Sequence, residues 1–397
     1  MVSKSIFYEA DMKKIGCVIA YRRNHTNYGT SLVGYALLKK IQQMGFQVEV
    51  INYIKHLSLL QKLVFVWNAI RCGELKKIIA RLSDNRVLKN YPNYAKNLES
   101  RIIAVENYKA AKLLPLFKNF VGYDDLHKKS KRYDVVVVGS DQVWTPMSLP
   151  NKFFNLLFVD DSVRKVAYAS SFGVSVIPDF QKKKTGAYLD RFYKIGVREQ
   201  KGKEIVESLS HQNAQVVADP TMLLNAGEWR DEISVKDDAA QEPYIFCYFL
   251  GPNKDARRAA NELKNKTGYK IVTLRHMDEY VPEDEQFGDE APYDVDPNGF
   301  LRLIHNASYV CTDSFHCTAF SIQFHKQFMS FYRFAQDSVT GRNSRIDSLF
   351  DILGISRDRL YQGDVSRIEE PVDWTPIDEK LEKFRKESIL FLKESLR

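Results

Sequence analysis

Four consecutive valines, Val135–Val138, constrain the fold of this chain more than any other feature of its sequence. A run of β-branched residues without polar alternation indicates a strand that is buried on both faces, as in a parallel sheet. The run continues directly into Gly139, Ser140, Asp141 and Gln142. Because ligands of open α/β sheets bind at the carboxyl ends of strands, these four residues are predicted to belong to a binding site.

Other apolar segments in the first half of the chain alternate with helical patterns in the same way. The strands are predicted at residues 15–21, 46–52, 166–170, 194–197 and 215–218. Polar residues that follow these strands, or begin the next helix, include Asn27, Gly29, Ser171 and Arg198. This alternation predicts a doubly wound, Rossmann-like α/β domain over residues 1–230.

The second half of the chain begins a new sheet. Residues 225–242 are polar and acidic and end at Pro243, which indicates a domain boundary. Apolar segments and helical patterns then alternate again and predict a second Rossmann-like domain over residues 243–397. A charged amphipathic helix predicted at 378–396 is expected to close the structure, crossing back towards the first domain.

A strand-to-helix junction near residue 312 carries the densest group of candidate functional residues. A short apolar strand ends there, an apolar-periodic helix follows, and Asp313, Ser314 and His316 lie between them. A helix N-terminus offers free backbone N–H groups and a positive dipole end, so such a site can hold an anion and supply a proton beside it. The same residues are equally typical of ordinary helix caps.

A cationic cluster precedes the next predicted helix. Arg342, Asn343 and Arg345 are placed where they are predicted to contact a phosphate or diphosphate. Solvated arginines at a helix N-terminus are the simpler alternative. His25, in the first loop, is a further candidate for contact with a substrate.

The net charge of +8 is concentrated in one segment. Residues 55–132 contain 17 Lys and Arg against 6 Asp and Glu, a net charge of +11, and their pattern predicts a helical insertion in the first domain. Apolar and basic residues within 57–82 suit a helix that lies on an anionic membrane surface, and suit ordinary surface helices as well. We expect no binding to nucleic acid, because no motif for it is present.

The cysteine content and the absence of long apolar runs bear on the compartment. Five cysteines without a C-x-x-C motif favour a reducing environment and give no metal-binding spacing, so we predict no metal site. The N-terminus lacks the apolar core of a secretory signal, and no uninterrupted apolar run approaches the roughly 20 residues of a membrane span. A cytoplasmic protein is expected, with the inner face of the cytoplasmic membrane as the site suggested by the basic segment.

Short motifs occur in a fixed order along the chain: Asn27-Tyr28-Gly29, Val138-Gly139-Ser140-Asp141-Gln142-Val143-Trp144, Tyr168-Ala169-Ser170-Ser171-Phe172-Gly173, Val197-Arg198-Glu199, Asp219-Pro220-Thr221 and Thr312-Asp313-Ser314-Phe315-His316. In this order and spacing they resemble the polysaccharide pyruvyl transferase family. The family arginine and histidine fall on Arg198 and His316. Two positions depart from the family pattern: Thr30 stands where an acidic residue is usual, and Cys317 stands where glycine is common.

The resemblance implies two Rossmann-like domains arranged as in GT-B glycosyltransferases, with the active site between them. It implies phosphoenolpyruvate as co-substrate, no further cofactor, and a sugar of a bacterial surface polysaccharide precursor as acceptor, either lipid-linked or free. The product would be a cyclic pyruvate ketal. From the chemistry, we expect Arg198 to hold the donor anion and His316 to act as general acid or phosphate clamp. Either Asp141 or Asp313 would be the base for the attacking hydroxyl.

Two alternatives remain open at this stage. A glycosyltransferase of the same architecture would use a nucleotide sugar and would leave phosphoenolpyruvate unchanged. A non-catalytic scaffold of a glycan assembly complex would tolerate the loss of His316. The joint presence of Arg198 and His316 favours an enzyme over a scaffold.

Overall fold

Two parallel β-sheets, each with helices between its strands, form the protein. The computed structural model describes residues 12–55, 58–73, 89–234, 242–333 and 344–397. The predicted α/β fold class with two doubly wound sheets is confirmed. Within the described ranges, no helix combines the length and the apolar character that crossing a bilayer requires.

The first sheet has seven parallel strands in the order β3-β2-β1-β4-β5-β6-β7. All four valines of β4 are buried, in agreement with the sequence prediction. The strand order reverses between β1 and β4, which opens a crevice at the carboxyl ends of these two strands. The strands are β1 Lys14–Val18, β2 Gln47–Ile54, β3 Phe117–Val121, β4 Val135–Val138, β5 Arg164–Ser170, β6 Lys194–Val197 and β7 Ala214–Val216.

The second sheet has four parallel strands in the order β11-β10-β8-β9. Its order reverses between β8 and β10, so it has a crevice of its own at the carboxyl ends of that pair. The strands are β8 Tyr244–Tyr248, β9 Lys270–Thr273, β10 Tyr309–Thr312 and β11 Gln327–Ser330.

Helices connect the strands and cover both sheets. Their bounds are α1 Tyr28–Gln43, α2 Leu59–Arg71, α3 Pro92–Lys112, α4 Tyr123–Ser130, α5 Asp179–Leu189, α6 Gln200–Leu209, α7 Pro220–Leu223, α8 Ala226–Glu232, α9 Lys254–Thr267, α10 Pro297–Asn306, α11 Phe315–Gln323, α12 Ser344–Leu353 and α13 Thr375–Leu396. The loop between β1 and α1 and the junction between β10 and α11 supply the residues that matter for the site below.

The described part of the basic segment contains a strand that its sequence does not predict. Besides α2, α3 and α4 it contains β3, which pairs with β2 at the edge of the first sheet. An edge strand is covered incompletely, and Lys118 and Asn119 of β3 are exposed. Because an edge strand tolerates polar residues, β3 lacks the apolar pattern from which a strand is predicted.

The C-terminal helix α13 packs against the first sheet. The Oγ atom of Ser388 accepts a hydrogen bond from the backbone N–H of Ala218 at 2.8 Å. The ring of Phe391 lies so close to Gly196 of β6 that a Cβ there would be 2.9 Å from it. Because α13 follows the second sheet in the chain, these contacts fasten the second half of the protein onto the first.

A second contact between the halves lies beside the two crevices. The ring of Tyr28, at the start of α1, stacks on Phe300 of α10 with 4.8 Å between ring centroids. Its hydroxyl donates to the carbonyl of Val295 at 3.0 Å. We call the first sheet with its helices the first unit and the second sheet with its helices the second unit. These two contacts fix the first turn of α1 against the second unit, and Gly29, next to Tyr28, lies against His316 at the start of α11.

Candidate active site

A cleft of about 450 Å³ lies where the crevices of the two sheets face each other. The loop after β1 and the loop after β4 form one wall, and the start of α11 forms part of the other. Its charged and polar lining residues include Arg22, His25, Asn27, Thr30, Asp141, Gln142, Ser314, His316, Arg333 and Arg345. The cleft therefore combines several cations with two imidazoles, of which that of His316 comes from the second unit.

A larger depression of about 690 Å³ lies at the opposite edge of the second sheet, where β8 and β9 begin. Its lining includes the acidic residues Glu242, Glu290, Asp294 and Asp296. Ligands of doubly wound sheets bind at the carboxyl ends of strands, and this depression lies at the amino ends. The cleft between the units is therefore the candidate active site.

The imidazole of His316 is held between a glycine and a carboxylate. Ser314 caps α11, with its side chain accepting from the N–H of Cys317, and His316 follows in the first turn. A Cβ on Gly29 would lie 2.2 Å from Nδ1 of His316, so only glycine leaves room for the ring there. On its other side, Nε2 lies 3.6 Å from Oδ2 of Asp219. The imidazole therefore has a defined position, to which both units contribute.

Asp219 joins the two residues that the family resemblance assigns to catalysis. Its Oδ2 atom accepts from Nη1 of Arg198 at 2.8 Å and is also the oxygen that faces His316. Its Oδ1 atom accepts from the N–H and the hydroxyl of Thr221. Burial alone would raise the pKa of Asp219, but the His316 imidazole and the Arg198 guanidinium hold it well below its ordinary value. Asp219 is therefore a fixed anion between a guanidinium and an imidazole.

Arg198 lies behind the cleft wall. Its side chain is only 1 % exposed, and Nη2 lies 3.5 Å from Oδ1 of Asp141. Its Nε is 4.0 Å from a carboxylate oxygen of Glu199. Burial tends to lower the pKa of Arg198, but Asp219 and Asp141 raise it above its ordinary value. His316 therefore lines the cleft and Arg198 does not, although both side chains lie next to the same oxygen of Asp219.

Asp141 is the carboxylate that faces the cleft. Its backbone φ is +78°, a conformation that costs energy for a residue with a side chain and is found at functional sites. Thr30 donates to its Oδ2 atom at 3.0 Å, and the N–H of Gln142 donates to its Oδ1 atom at 2.8 Å. Burial raises the pKa of Asp141, but Arg198 and His316 outweigh it and lower the pKa to about 2. Asp141 is ionised at neutral pH.

Asp313, the second carboxylate predicted as a base, has a different position. Its side chain is fully buried and its Oδ1 atom accepts from the N–H of Leu250 at 2.7 Å. The guanidinium of Arg333 donates to its backbone carbonyl at 3.1 Å and lies 3.6 Å from Oδ1. Burial raises the pKa of Asp313. Asp313 orients Arg333 and the start of α11, and Asp141 is the one of the two that lines the cleft.

Two arginines from the second unit line the cleft directly. Arg333 follows β11, and Arg345 is in the first turn of α12. Burial, together with repulsion from Arg198, lowers the pKa of Arg345 to about 9. A guanidinium that is disfavoured by a neighbouring cation is stabilised when an anion binds next to it.

The predicted binding residues fall into two groups. Asn27, Gln142, Ser314 and Arg345 line the cleft.

The remaining predicted binding residues that the structure describes make contacts within the protein and do not reach the cleft surface. Ser140 donates to the carbonyl of Ala169, Ser171 donates to Glu199, a Cβ on Gly139 would overlap the carbonyl of Tyr168, and Gly29 packs on His316. Gly29, Gly139, Ser140 and Ser171 therefore shape the site without lining it, and a direct role in binding stays a prediction. Arg342 and Asn343 lie outside the described residues.

The loop after β1 also reaches the second unit. Oγ1 of Thr26 donates to Oδ1 of Asp278 at 2.6 Å, and Nε2 of His25 lies 3.5 Å from Oδ2 of the same carboxylate. Burial lowers the pKa of His25. Asp278 follows β9 and has no motif around it, so only the structure shows that it ties this wall of the cleft to the second unit.

Arg333, like Asp278, was missed from sequence, and the partners of Thr30 and Asp219 are visible only in the structure. Arg333 stands at the start of a polar loop that reads as surface. Thr30, at a position that departs from the family pattern, donates to Asp141. Asp219 belongs to a recognised motif, but its partners are distant in sequence. In the described part of the chain, no group of three or more His, Cys, Asp or Glu side chains is arranged to hold a metal ion.

The fold and the site define a two-sheet α/β protein with a cationic, histidine-containing cleft between its halves. The chain belongs to the polysaccharide pyruvyl transferase family, whose model matches residues 27–333. No curated protein sequence matches the chain.

Solved structures with a similar course of the chain are distant in sequence. One is a UDP-GlcNAc 2-epimerase from Neisseria meningitidis, with 9% identity, 94% of each chain covered and a TM-score of 0.45. A putative UDP-N-acetylglucosamine 2-epimerase from Listeria monocytogenes has 10% identity, with 97% of this chain and 91% of that chain covered and a TM-score of 0.47. The glycosyltransferase SnogD from Streptomyces nogalater has 10% identity, 95% of each chain covered and a TM-score of 0.42.

Proposed function

We propose that the protein transfers the pyruvyl group of phosphoenolpyruvate to two hydroxyls of one sugar in a bacterial surface polysaccharide precursor, forming a cyclic ketal. The observation that carries the proposal is the composition of the cleft. It sets Arg333, Arg345 and the imidazole of His316, all from the second unit, on the same cleft as the ionised carboxylate of Asp141. Membership of the pyruvyl transferase family supports the reaction class, and the chemistry of the cleft residues suggests a role for each of them in the reaction.

The donor is held by charge. Phosphoenolpyruvate carries a phosphate and a carboxylate, and guanidinium groups bind both through paired, charge-assisted hydrogen bonds. Arg345 and Arg333 line the cleft and are the groups for this task. Arg198 acts through the carboxylates that it orients, since its guanidinium lies behind the wall.

The first chemical step needs a proton on the methylene carbon of the donor. His316 supplies it, and the C=C electron pair forms the new C–H bond while positive charge develops at the carbon that bears the phosphate. A sugar hydroxyl attacks that carbon and loses its proton. Phosphate then leaves with the C–O bonding pair, and a second hydroxyl of the same sugar closes the ring with loss of its own proton. Asp219 stabilises the imidazolium before the proton is transferred.

The acceptor meets Asp141. A carboxylate with a pKa near 2 is a weak base but a good hydrogen-bond acceptor, so it orients the attacking hydroxyl. A bound anionic donor next to it raises that pKa and makes proton uptake easier. Tyr21, Met147 and Phe154 line the same cleft and offer apolar surface for the face of a sugar ring.

The donor also bears on the place of the reaction. Phosphoenolpyruvate is a cytoplasmic metabolite, so the proposal includes a cytoplasmic site. A lipid-linked acceptor would bring the protein to the inner face of the cytoplasmic membrane.

The test is a transfer assay with phosphoenolpyruvate and a panel of galactosides, mannosides and amino sugars. The proposal predicts phosphate release only with an acceptor, and one acid-labile pyruvate ketal for each phosphate released. A parallel series supplies UDP-sugars without phosphoenolpyruvate. Consumption of a UDP-sugar, with no phosphate released from phosphoenolpyruvate, would replace the proposal with the glycosyltransferase alternative.

A further inference from the structure

Helix α2 presents an apolar face to solvent. Leu59 and Leu60 are 79% and 76% exposed, and Leu63 and Trp67 are 64% and 62% exposed. Val64, Val66 and Ile70 are exposed on the same face. A contiguous apolar face of this kind is unusual on a protein surface, and it marks a site of contact with a partner or a membrane.

The opposite face of α2 is firmly attached to the first unit. Asn68 and Ala69 are buried, and Nδ2 of Asn68 donates to the carbonyl of Pro146 at 3.1 Å. Nε2 of Gln181, in α5, donates to Oδ1 of Asn68 at 2.8 Å. The guanidinium of Arg71 lies 3.7 Å from the ring centroid of Phe180. The apolar face is therefore held outward by the fold.

The charges around this face favour an anionic partner. Helix α2 contains no acidic residue and carries Lys62 and Arg71. Lys183 and Lys184 are exposed on α5, three and four residues after Phe180, whose ring contacts Arg71 of α2. The acidic residue of the first turn of α5, Asp179, is paired with Lys182. Leucine, valine and tryptophan with lysine and arginine at the margin form the composition of a helix that lies in a lipid interface.

The same helix adjoins the cleft. Pro146, whose carbonyl accepts from Asn68, stands between Thr145 and Met147 in the chain, and both of these line the cleft. Helix α2 therefore packs through its buried face on a segment that borders the active site.

We propose that α2 inserts its apolar face into the surface of an anionic lipid bilayer, with the lysines of α5 beside it, and that the cleft then opens at the membrane surface. The membrane contact itself does not depend on the reaction. Its purpose, delivery of a lipid-linked sugar to the cleft, rests on the proposed function. Phosphoenolpyruvate, a small soluble anion, reaches the cleft from the aqueous side.

The experiment measures flotation of the full-length protein with vesicles of phosphatidylcholine alone and with vesicles that also contain phosphatidylglycerol. We expect flotation with the anionic vesicles and little with the neutral ones. Leu60→Ser with Leu63→Ser should lower the apparent affinity roughly tenfold or more, because two apolar side chains no longer enter the interface. Lys183→Ala with Lys184→Ala should lower it by about fivefold for each lysine.

The matched control is Ile103→Ser with Leu390→Ser. These two side chains are 54% and 56% exposed and lie on α3 and α13, away from the proposed contact. This variant should float as the wild type does. The tryptophan emission should shift to shorter wavelength on anionic vesicles through Trp67, since Trp144 and Trp229 are already buried and Trp374 is half-buried, stacked on His325. Trp67→Phe should remove the shift and keep most of the binding.

Failure of the wild type to float with anionic vesicles overturns the proposal, and so does unchanged flotation of the Leu60→Ser, Leu63→Ser variant. A wild-type dimer that this variant converts to a monomer, with vesicle binding unaltered, would assign the face to self-association instead. Transfer to a water-soluble sugar should be the same in the variant and the wild type. If neither protein transfers pyruvate, the proposed function is wrong, but the vesicle experiment still tests the membrane contact.

Discussion

Arg198, behind the cleft wall, and Arg345, in the wall, have opposite electrostatic surroundings. Arg198 comes from the first unit, is almost fully buried, and is surrounded by the carboxylates of Asp219, Asp141 and Glu199. Arg345 and Arg333 come from the second unit and line the cleft. Burial and the charge of Arg198 lower the pKa of Arg345, whereas the carboxylates raise that of Arg198.

This difference indicates two tasks for the same side chain. A buried guanidinium that is paired with carboxylates orients them, and their negative charge balances its own, so it attracts a further anion only weakly. A guanidinium that lines a cleft next to another cation is stabilised by a bound anion. We therefore propose that the first unit positions the catalytic groups and that the second unit binds the donor.

Arg198→Gln should produce the largest effect on stability. The substitution leaves Asp219, Asp141 and Glu199 buried without their common cation, and breaking a buried ion pair in this way costs about 3–5 kcal/mol. The measurement is the free energy of unfolding in urea. Arg258→Gln is the control, because Arg258 is 64% exposed and a surface ion pair contributes at most about 1 kcal/mol. A folded Arg198→Gln protein of wild-type stability would contradict the structural role proposed for Arg198.

Gly29→Ala should reduce kcat by about a hundredfold, since displacement of a reacting group by about 1 Å has an effect of that size. The new Cβ would overlap Nδ1 of His316, and the imidazole must move. Gly34→Ala on the same helix is the control, because its Cβ would meet only the end of the Ile19 side chain, at 3.1 Å. Equal kcat values for the two variants would show that the position of the imidazole is unimportant.

Arg345→Gln should raise KM for phosphoenolpyruvate roughly tenfold or more, the typical effect of losing a charge-assisted hydrogen bond. Stability should change little, in contrast to Arg198→Gln. Steady-state kinetics and urea unfolding of the same preparation give both values. Arg302→Gln, at the rim of the other depression, is the control and should leave KM unchanged. A loss of stability without a change in KM would assign Arg345 to the structural group.

Asp141→Asn tests the carboxylate that belongs to both regions. Its pKa in the folded protein, about 2, lies below its ordinary value, so the ionised form stabilises the fold at neutral pH by about 2 kcal/mol. That contribution is complete above about pH 4 and is lost as the pH falls through 2. The variant should be less stable at pH 7 and less sensitive to acid across this window. Urea unfolding at several pH values measures both, with the exposed Asp255→Asn as control. An unchanged acid dependence would contradict the electrostatic account.

The sequence predicted those parts of the fold and site that depend on local patterns. Valine runs predict buried strands because burial on both faces requires apolar residues throughout, and β4 is buried as expected. His316 was recognisable because a polar cluster between a strand and a helix lies at a predictable edge of a sheet. β3 was not recognisable, since an edge strand tolerates polar residues.

The parts that the sequence did not predict depend on distances between remote residues. A strand end locates Arg198 but does not show that Asp219 and Asp141 surround it. Gly29 was predicted to bind substrate, and its role in accommodating His316 is visible only where the two units meet. The role of Arg333 depends on Asp313, to which the sequence alone gave a catalytic task.

The most direct test of the account is the kcat of His316→Gln for pyruvyl transfer, measured together with the Kd of phosphoenolpyruvate. Glutamine retains a polar side chain but cannot donate the catalytic proton. The account predicts that kcat falls by about a hundred- to ten-thousandfold, while Kd changes little because Arg345 and Arg333 bind the donor. A folded His316→Gln protein with wild-type kcat would contradict it.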